Sequence, residues 1–160
     1  MRLLLIRHAD AGVRDPAHWP DDADRPLTER GCKRQRKVAK RLRRQDLVPD
    51  LLLSSPWLRA WQTSGVTADV VGCDPPVACA ALALPPALAA FATAIGPTTG
   101  DRLVALVGHE PWLGELASLL LVGEDTLQID FAKSAVLGLR TERIAPGAAM
   151  LEFFWRPKRG

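Results

Sequence analysis

The sequence contains no apolar run that approaches the length of a membrane-spanning helix, which needs about 20 consecutive apolar residues. The apolar stretch at the N-terminus is interrupted by Arg7 and His8 before a signal-peptide cleavage site could follow. We therefore expect a cytoplasmic protein that does not associate with membranes.

Motifs for metals and nucleotides are missing too. The three cysteines match no metal-ligand spacing, which favours reduced thiols, and the three histidines form no H-x-x-x-H pair. The sequence also lacks a P-loop and a G-x-G-x-x-G dinucleotide fingerprint. We therefore predict that the protein binds no metal and no cofactor.

Internal repeats and low-complexity linkers are absent as well, so the 160 residues are predicted to form one domain, residues 1–160. A chain of this length with 48% hydrophobic residues can bury a substantial core. Apolar runs predict buried strands at residues 2–6, 50–54 and 102–107, with a short strand near 77–79. Helices are expected from the N-cap Thr28 to about residue 45, and over residues 56–70, 87–95 and 112–122.

The C-terminal segments 135–141 and 149–155 are separated by Ala-Pro-Gly and predict an antiparallel hairpin. The alternation of strands and helices before them predicts a mostly parallel sheet. The expected fold is therefore an α/β three-layer sandwich, with the antiparallel hairpin at the C-terminal end of its central sheet.

Two polar segments leave alternatives open. Residues 10–27 carry three prolines and five aspartates and predict a loop that either folds over a ligand of Arg7 and His8 or is simply solvated. Eight of the twelve residues Lys33–Arg44 are Lys or Arg, and this helix either attracts an acidic partner or is a solvated face. Nucleic acid is disfavoured as the partner because no stacking or base-reading groups are interleaved there.

Polar side chains follow three of the predicted strands: Arg7 and His8 follow the first, Arg59 lies shortly after the second, and His109 follows the fourth. The carboxyl ends of parallel strands meet at one edge of a sheet, where α/β folds bind ligands. Two guanidinium groups can hold a dianionic phosphoryl group, and a neutral imidazole can attack it as a nucleophile. The second imidazole, if protonated, could donate to a phosphoryl oxygen.

Four motifs occur in order along residues 2–122. Together they resemble the histidine phosphatase superfamily, and in particular its small SixA-like phosphohistidine phosphatase branch. The motifs are Leu5-Ile6-Arg7-His8-Ala9, Arg25-Pro26-Leu27-Thr28-Glu29-Arg30-Gly31, Ser54-Ser55-Pro56-Trp57-Leu58-Arg59-Ala60-Trp61-Gln62-Thr63 and Val107-Gly108-His109-Glu110-Pro111.

The resemblance implies a phosphoglycerate mutase-like fold and a role for each matched residue. His8 would be the phosphorylated nucleophile, Arg7 and Arg59 would hold the phosphoryl oxygens, and His109 would complete the phosphate-binding pocket. The substrate would be phosphohistidine in a partner protein. Ala9 replaces the glycine of the superfamily's usual R-H-G triplet, a change that the small branch tolerates.

One carboxylate that the resemblance leads one to expect is missing. Many superfamily members that cleave phosphate esters carry a Glu or Asp shortly after the third strand, whereas residues 81–86 here contain none. An alkoxide leaving group needs a proton, while the labile N–P bond of phosphohistidine needs less help. Asp10 and Glu110 remain possible acids, and the alternative functions are a phosphomonoesterase for a small ester or a non-catalytic binding module.

Two smaller predictions concern aromatic side chains. Trp57 and Trp61 are four residues apart on a predicted helix, and packing against the sheet is favoured over contact with substrate. His18 lies in the aspartate-rich loop and is expected to be solvated.

Overall fold

The computed structural model describes residues 1–97 and 100–157. Six strands form one sheet in the order β3-β2-β4-β1-β5-β6. The strands are β1 (Arg2–Arg7), β2 (Leu51–Ser54), β3 (Val77–Ala78), β4 (Leu103–Gly108), β5 (Val136–Thr141) and β6 (Ala149–Trp155). The helices are α1 (Glu29–Arg44), α2 (Leu58–Val71), α3 (Leu88–Ile95) and α4 (Trp112–Val122), with short 3-10 turns at Asp22–Asp24 and Ala80–Ala83.

The sheet is mostly parallel and ends in an antiparallel pair, as predicted. Strand β4 pairs in parallel with both β1 and β2, and β2 pairs in parallel with β3. Strand β5 runs antiparallel to β1, and β6 runs antiparallel to β5. The carboxyl ends of β1, β2 and β4 therefore share one edge with the start of β5.

Side chains alternate between the two faces of the sheet and form a core on each. In β1, Leu3 and Leu5 join a cluster with α3 and α4, whereas Leu4 and Ile6 join a cluster with α1 and α2. All four side chains are at most 1% exposed. The helices thus cover both faces and give the predicted three-layer sandwich.

The helix boundaries agree closely with the sequence except at the start of α2. Thr28 caps α1, because its hydroxyl oxygen accepts a hydrogen bond from the backbone N–H of Gly31. Pro56 was expected in the first turn of α2, but that helix begins at Leu58 with Trp57 as its N-cap. The reason is that Ser55 still follows the sheet, where its N–H donates to the carbonyl oxygen of Val107.

None of the helices in the described part of the chain is long and apolar enough to cross a membrane. The three cysteines are free, as expected, with Cys79 buried and Cys32 and Cys73 partly buried.

Candidate active site

The carboxyl edge of the sheet brings the four predicted site residues together. Arg7 ends β1, His8 follows it, Arg59 lies in the first turn of α2, and His109 follows β4. The imidazole rings of His8 and His109 have centroids 5.1 Å apart, and Arg59 Nε donates to His8 Nε2 over 3.3 Å. His8, Arg59 and His109 are each at most 6% exposed, and Arg7 is half-buried.

His8 is held as a neutral imidazole with its proton on Nδ1. Its Nδ1 lies 2.7 Å from the carbonyl oxygen of Ala9, which can only accept, so Nδ1 carries the proton. Burial lowers the pKa of His8 to about 2, and the nearby His109, Arg59 and Arg7 act in the same direction. The Nε2 atom is therefore unprotonated and available as a nucleophile.

His109 is neutral as well, which departs from the protonated form considered above. Burial lowers its pKa to about 3, with the charges of Arg59 and Arg7 adding to the effect. Its Nε2 lies 2.8 Å from the hydroxyl oxygen of Ser55, and its buried Nδ1 has no hydrogen-bond partner among the described residues. A neutral ring has one N–H, so His109 can offer a single hydrogen bond to an anion.

Both arginines are anchored from outside the site. Arg7 Nη1 donates to the carbonyl oxygen of Phe131, and its buried Nε has no partner among the described residues. Arg59 Nη1 donates to the carbonyl oxygen of Asp22 over 2.7 Å, and its Nη2 lies 3.2 Å from a carboxylate oxygen of Asp22. Two guanidinium groups fixed beside a neutral imidazole make this a site for an anion.

The aspartate-rich loop of residues 10–27 covers one side of the site and is therefore not simply a solvated loop. Asp22 binds Arg59 as described, and Arg25 binds both carboxylate oxygens of Asp22 at 2.8 and 3.2 Å. Arg25 also donates to the carbonyl oxygens of Ala11 and Gly12. The loop is thus tied to the carboxyl edge of the sheet through Asp22, while His18 is exposed, as expected.

Two of the sequence motifs hold the backbone around His8. The Thr28 N–H and hydroxyl both donate to the carbonyl oxygen of Asp10. The Ala9 N–H donates to the hydroxyl oxygen of Thr63, and the Leu27 N–H donates to the side-chain oxygen of Gln62. The Leu-Thr and Gln-Thr positions of the motifs therefore fix the chain that follows His8.

Gly31 shows how closely α1 approaches this backbone. A β-carbon at Gly31 would overlap the carbonyl oxygen of Asp10, whereas one at Gly65 in α2 would meet nothing within 4 Å. Gly31→Ala should therefore cost about 1–3 kcal/mol of stability and lower activity by displacing the loop that carries His8. Gly65→Ala, the matched control, should gain about 0.5–1 kcal/mol in urea unfolding. Equal effects of the two substitutions would contradict this packing.

The segment before β5 also belongs to the site and was missed by the sequence analysis. Lys133 forms an ion pair with Asp10, and the Ser134 N–H is shared between the carbonyl oxygens of Arg7 and His8. Phe131 supplies the carbonyl that holds Arg7. The predicted antiparallel hairpin could have indicated this segment, because a strand that runs antiparallel to β1 begins at the carboxyl edge of β1.

The two carboxylates considered as acids differ in their surroundings. The ammonium group of Lys133 and the guanidinium group of Arg30 hold the pKa of Asp10 well below its usual range, so this group stays ionised and is a poor proton donor. Burial raises the pKa of Glu110, whose carboxylate accepts a hydrogen bond from the Phe131 N–H at 3.2 Å. That hydrogen bond holds the Glu110 carboxylate against the segment before β5, in which the Phe131 carbonyl oxygen binds Arg7.

Trp57 and Trp61 do not pack against the sheet, so that prediction was wrong. The Trp57 ring lies 4.5 Å from the His109 ring and 6.0 Å from Trp112, and the Arg59 guanidinium carbon lies 4.6 Å from its centre. Trp61 is 39% exposed. The small residues Ala60 and Ala68 face the sheet instead, which brings α2 close and leaves the tryptophans at the rim.

The buried neutral histidines predict a loss of stability in mild acid. The unfolded chain binds protons at His8 and His109 below the ordinary pKa of 6.5, while the folded protein does not. This proton binding changes the free energy of unfolding little above pH 6.5. At pH 5 it should lower the free energy of unfolding by about 2 kcal/mol for each ring. The depressed pKa of Asp10 matters only below about pH 4.

Urea unfolding at pH 7 and pH 5 measures this dependence. His8→Gln should show about half of the wild-type change, since one of the two titrating rings is removed. A wild-type free energy of unfolding that is the same at both pH values would contradict the neutral state of these rings.

Comparison of the whole chain with known proteins identifies its family. The family model of the histidine phosphatase superfamily (branch 1) matches residues 3–83, which include Arg7, His8 and Arg59. The chain belongs to the histidine phosphatase superfamily. The superfamily match and the fold confirm the resemblance inferred from the four motifs.

Individual relatives extend the match beyond residue 83. The phosphohistidine phosphatase SixA of Escherichia coli (strain K12) is 33% identical over 129 residues, 78% of this chain and 76% of that protein. An uncharacterized protein of Picosynechococcus sp. (strain PCC 7002) is 34% identical over 95% of this chain and 89% of its own. The structure of a protein histidine phosphatase SixA complexed with tungstate superposes with a TM-score of 0.77 at 27% identity, covering 98% of this chain and 97% of that one.

The site presents imidazole nitrogens and guanidinium N–H groups. Within residues 1–97 and 100–157, no group of three or more His, Cys, Asp or Glu side chains is arranged to hold a metal ion. The positive charge beside His8 lies on Arg7 and Arg59.

Proposed function

We propose that this chain is a cytoplasmic, metal-independent phosphatase that hydrolyses phosphohistidine in a partner protein, with His8 as the covalent nucleophile. The observation that carries the proposal is the state of His8. Its Nδ1–H is tied to the Ala9 carbonyl, its Nε2 lone pair is free of a proton, and Arg59 lies beside that atom. These are the requirements for attack on a phosphoryl group.

The reaction proceeds in two displacements. His8 Nε2 attacks phosphorus, the N–P bond of the substrate breaks, and the bond's electrons stay on the substrate imidazole, which takes a proton from solvent. Arg7, Arg59 and the His109 N–H neutralise charge on the phosphoryl oxygens. Water then attacks phosphorus, His8 leaves as neutral imidazole once the water has lost its proton, and inorganic phosphate is released.

The surroundings of the leaving group favour phosphohistidine over an ester. Residues Ala81, Leu82, Leu84 and Pro86 place apolar side chains around His109 and Trp112, and none of them can donate a proton. An imidazole leaving group needs less help from an acid than an alkoxide does. The half-buried Trp57 and Trp112, packed around His109, offer aromatic faces on which a substrate imidazole can stack.

Turnover of a phosphohistidine peptide and of an alkyl phosphate such as phosphoserine, measured side by side, tests the assignment. We expect the kcat/KM for phosphohistidine to exceed that for the ester by about 100-fold or more, the range that general acid catalysis contributes to the poorer leaving group. Equal or faster ester hydrolysis would instead assign a phosphomonoesterase. A lack of phosphate release from both substrates, with phosphate still bound, would assign a binding module.

A further inference from the structure

The basic face of α1 forms one wall of an open groove with a volume of about 740 Å³. The wall consists of a single stripe along the helix, with apolar groups beside it. The lining residues are Glu29, Arg30, Lys33, Arg34, Lys37, Val38, Arg41 and Pro157. Five of these eight are basic, and the single acidic one, Glu29, is paired with Lys33.

The groove starts beside the active site. Arg30 lies at the end of the groove formed by the first turn of α1. It binds the carboxylate of Asp10, which is two residues after His8. From Arg30 to Arg41 the helix rises about 16 Å, which matches an extended peptide of about five residues. A chain bound in the groove can therefore continue directly from a residue whose side chain occupies the phosphate site.

The chemistry of the groove selects an acidic peptide rather than a nucleic acid. Arg41 lies 4.0 Å from the centre of the Trp155 ring and covers that aromatic face. Nonspecific binding of single strands depends on exposed aromatic faces for base stacking, and none of the eight lining residues is aromatic. The long stems of the basic residues together with Val38 and Pro157 instead suit the main chain and carboxylate side chains of a peptide.

We propose that this groove docks an acidic segment of the phosphorylated partner protein, adjacent to its phosphohistidine. The proposal rests on the proposed function, since it assigns the groove to the substrate of that same site. Charge complementarity at the rim of such a complex accelerates association and selects the partner. Of the eight basic residues of Lys33–Arg44, only the four that line the groove would contact this acidic segment.

Two synthetic phosphohistidine peptides that differ only in a flanking arm, four glutamates in one and four glutamines in the other, test the proposal. For the wild-type enzyme we expect a KM about tenfold lower for the glutamate peptide at low salt, with similar kcat. The difference should vanish in 0.5 M NaCl, where the Debye length falls to a few ångströms.

Charge reversal on α1 supplies the matched variants. Lys33→Glu/Lys37→Glu reverses two charges in the groove, and Arg36→Glu/Arg43→Glu reverses two exposed charges on the same helix outside it. The first double variant should lose the preference for the glutamate peptide and keep the wild-type rate on the glutamine peptide. The second should keep the preference, with circular dichroism confirming that both variants are folded.

Three results would overturn the proposal. They are an equal KM for the two peptides, an equal loss of preference in both double variants, and stronger competition by a single-stranded oligonucleotide than by an unphosphorylated glutamate peptide. Failure of the proposed function itself would look different, since neither peptide would then release phosphate.

Discussion

Replacing His8 with alanine is expected to reduce phosphate release from a phosphohistidine peptide by at least about 10,000-fold. In the proposed mechanism the variant lacks the atom that forms the covalent bond, and loss of a hydrolase nucleophile alone removes most of the catalytic effect. Arg7 and Arg59 remain to bind phosphate, because Phe131 and Asp22 still anchor them when the hydrogen bond from Arg59 to His8 is lost. The variant should thus bind inorganic phosphate with an affinity within a few-fold of wild type.

His18→Ala is the matched control for this experiment. His18 is exposed and, among the residues that the structure describes, bonds only to Asp15 in the same loop, so its loss should leave kcat/KM within about twofold of wild type. Wild-type turnover by His8→Ala would show that phosphate does not pass through His8 and would remove the basis of the mechanism.

Exchanging Arg59 for lysine should produce the second largest effect, a fall in kcat/KM of about 100- to 1,000-fold, as for removal of one transition-state donor. Lysine keeps the charge but cannot contact His8 Nε2, the carbonyl oxygen of Asp22 and a carboxylate oxygen of Asp22 at once, as the planar guanidinium group does. We expect kcat to fall more than KM rises, since the lost contact is to the reacting centre.

Arg25→Lys distinguishes catalysis from loop anchoring. Arg25 shares Asp22 with Arg59 but makes no hydrogen bond to either histidine; its contacts lie in the loop itself. Its replacement should lower kcat/KM by less than about tenfold. Equal losses in the two variants would mean that Arg59 acts through Asp22 and the loop rather than on the phosphoryl group.

Much of the fold could be predicted because local patterns and topology agree in this chain. The apolar run of β1 ends at the polar pair Arg7 and His8, and the parallel order of β1, β2 and β4 brings their carboxyl ends to one edge. The sequence therefore indicated where Arg59 and His109 would meet His8. The start of α2 was misplaced by two residues, because hydrogen bonding of Ser55 to β4 is a tertiary contact that the sequence does not display.

The electrostatic details could not be predicted from the sequence. The neutral state of His109 follows from its burial beside two arginines, and the ionised state of Asp10 follows from Lys133, which is 123 residues distant in the chain. The position of Trp57 beside His109 likewise depends on how closely α2 approaches the sheet through Ala60 and Ala68. Each of these features requires knowledge of which distant groups are in contact.

Rapid-quench analysis of the enzyme mixed with a radiolabelled phosphohistidine peptide tests directly whether the phosphoryl group passes through His8. We expect a phosphoenzyme that forms before phosphate is released, is labile in acid and stable in base, and carries its label on His8. A label that is stable in acid, as in phosphoserine, or that remains in His8→Ala would contradict the assignment of His8 as the nucleophile.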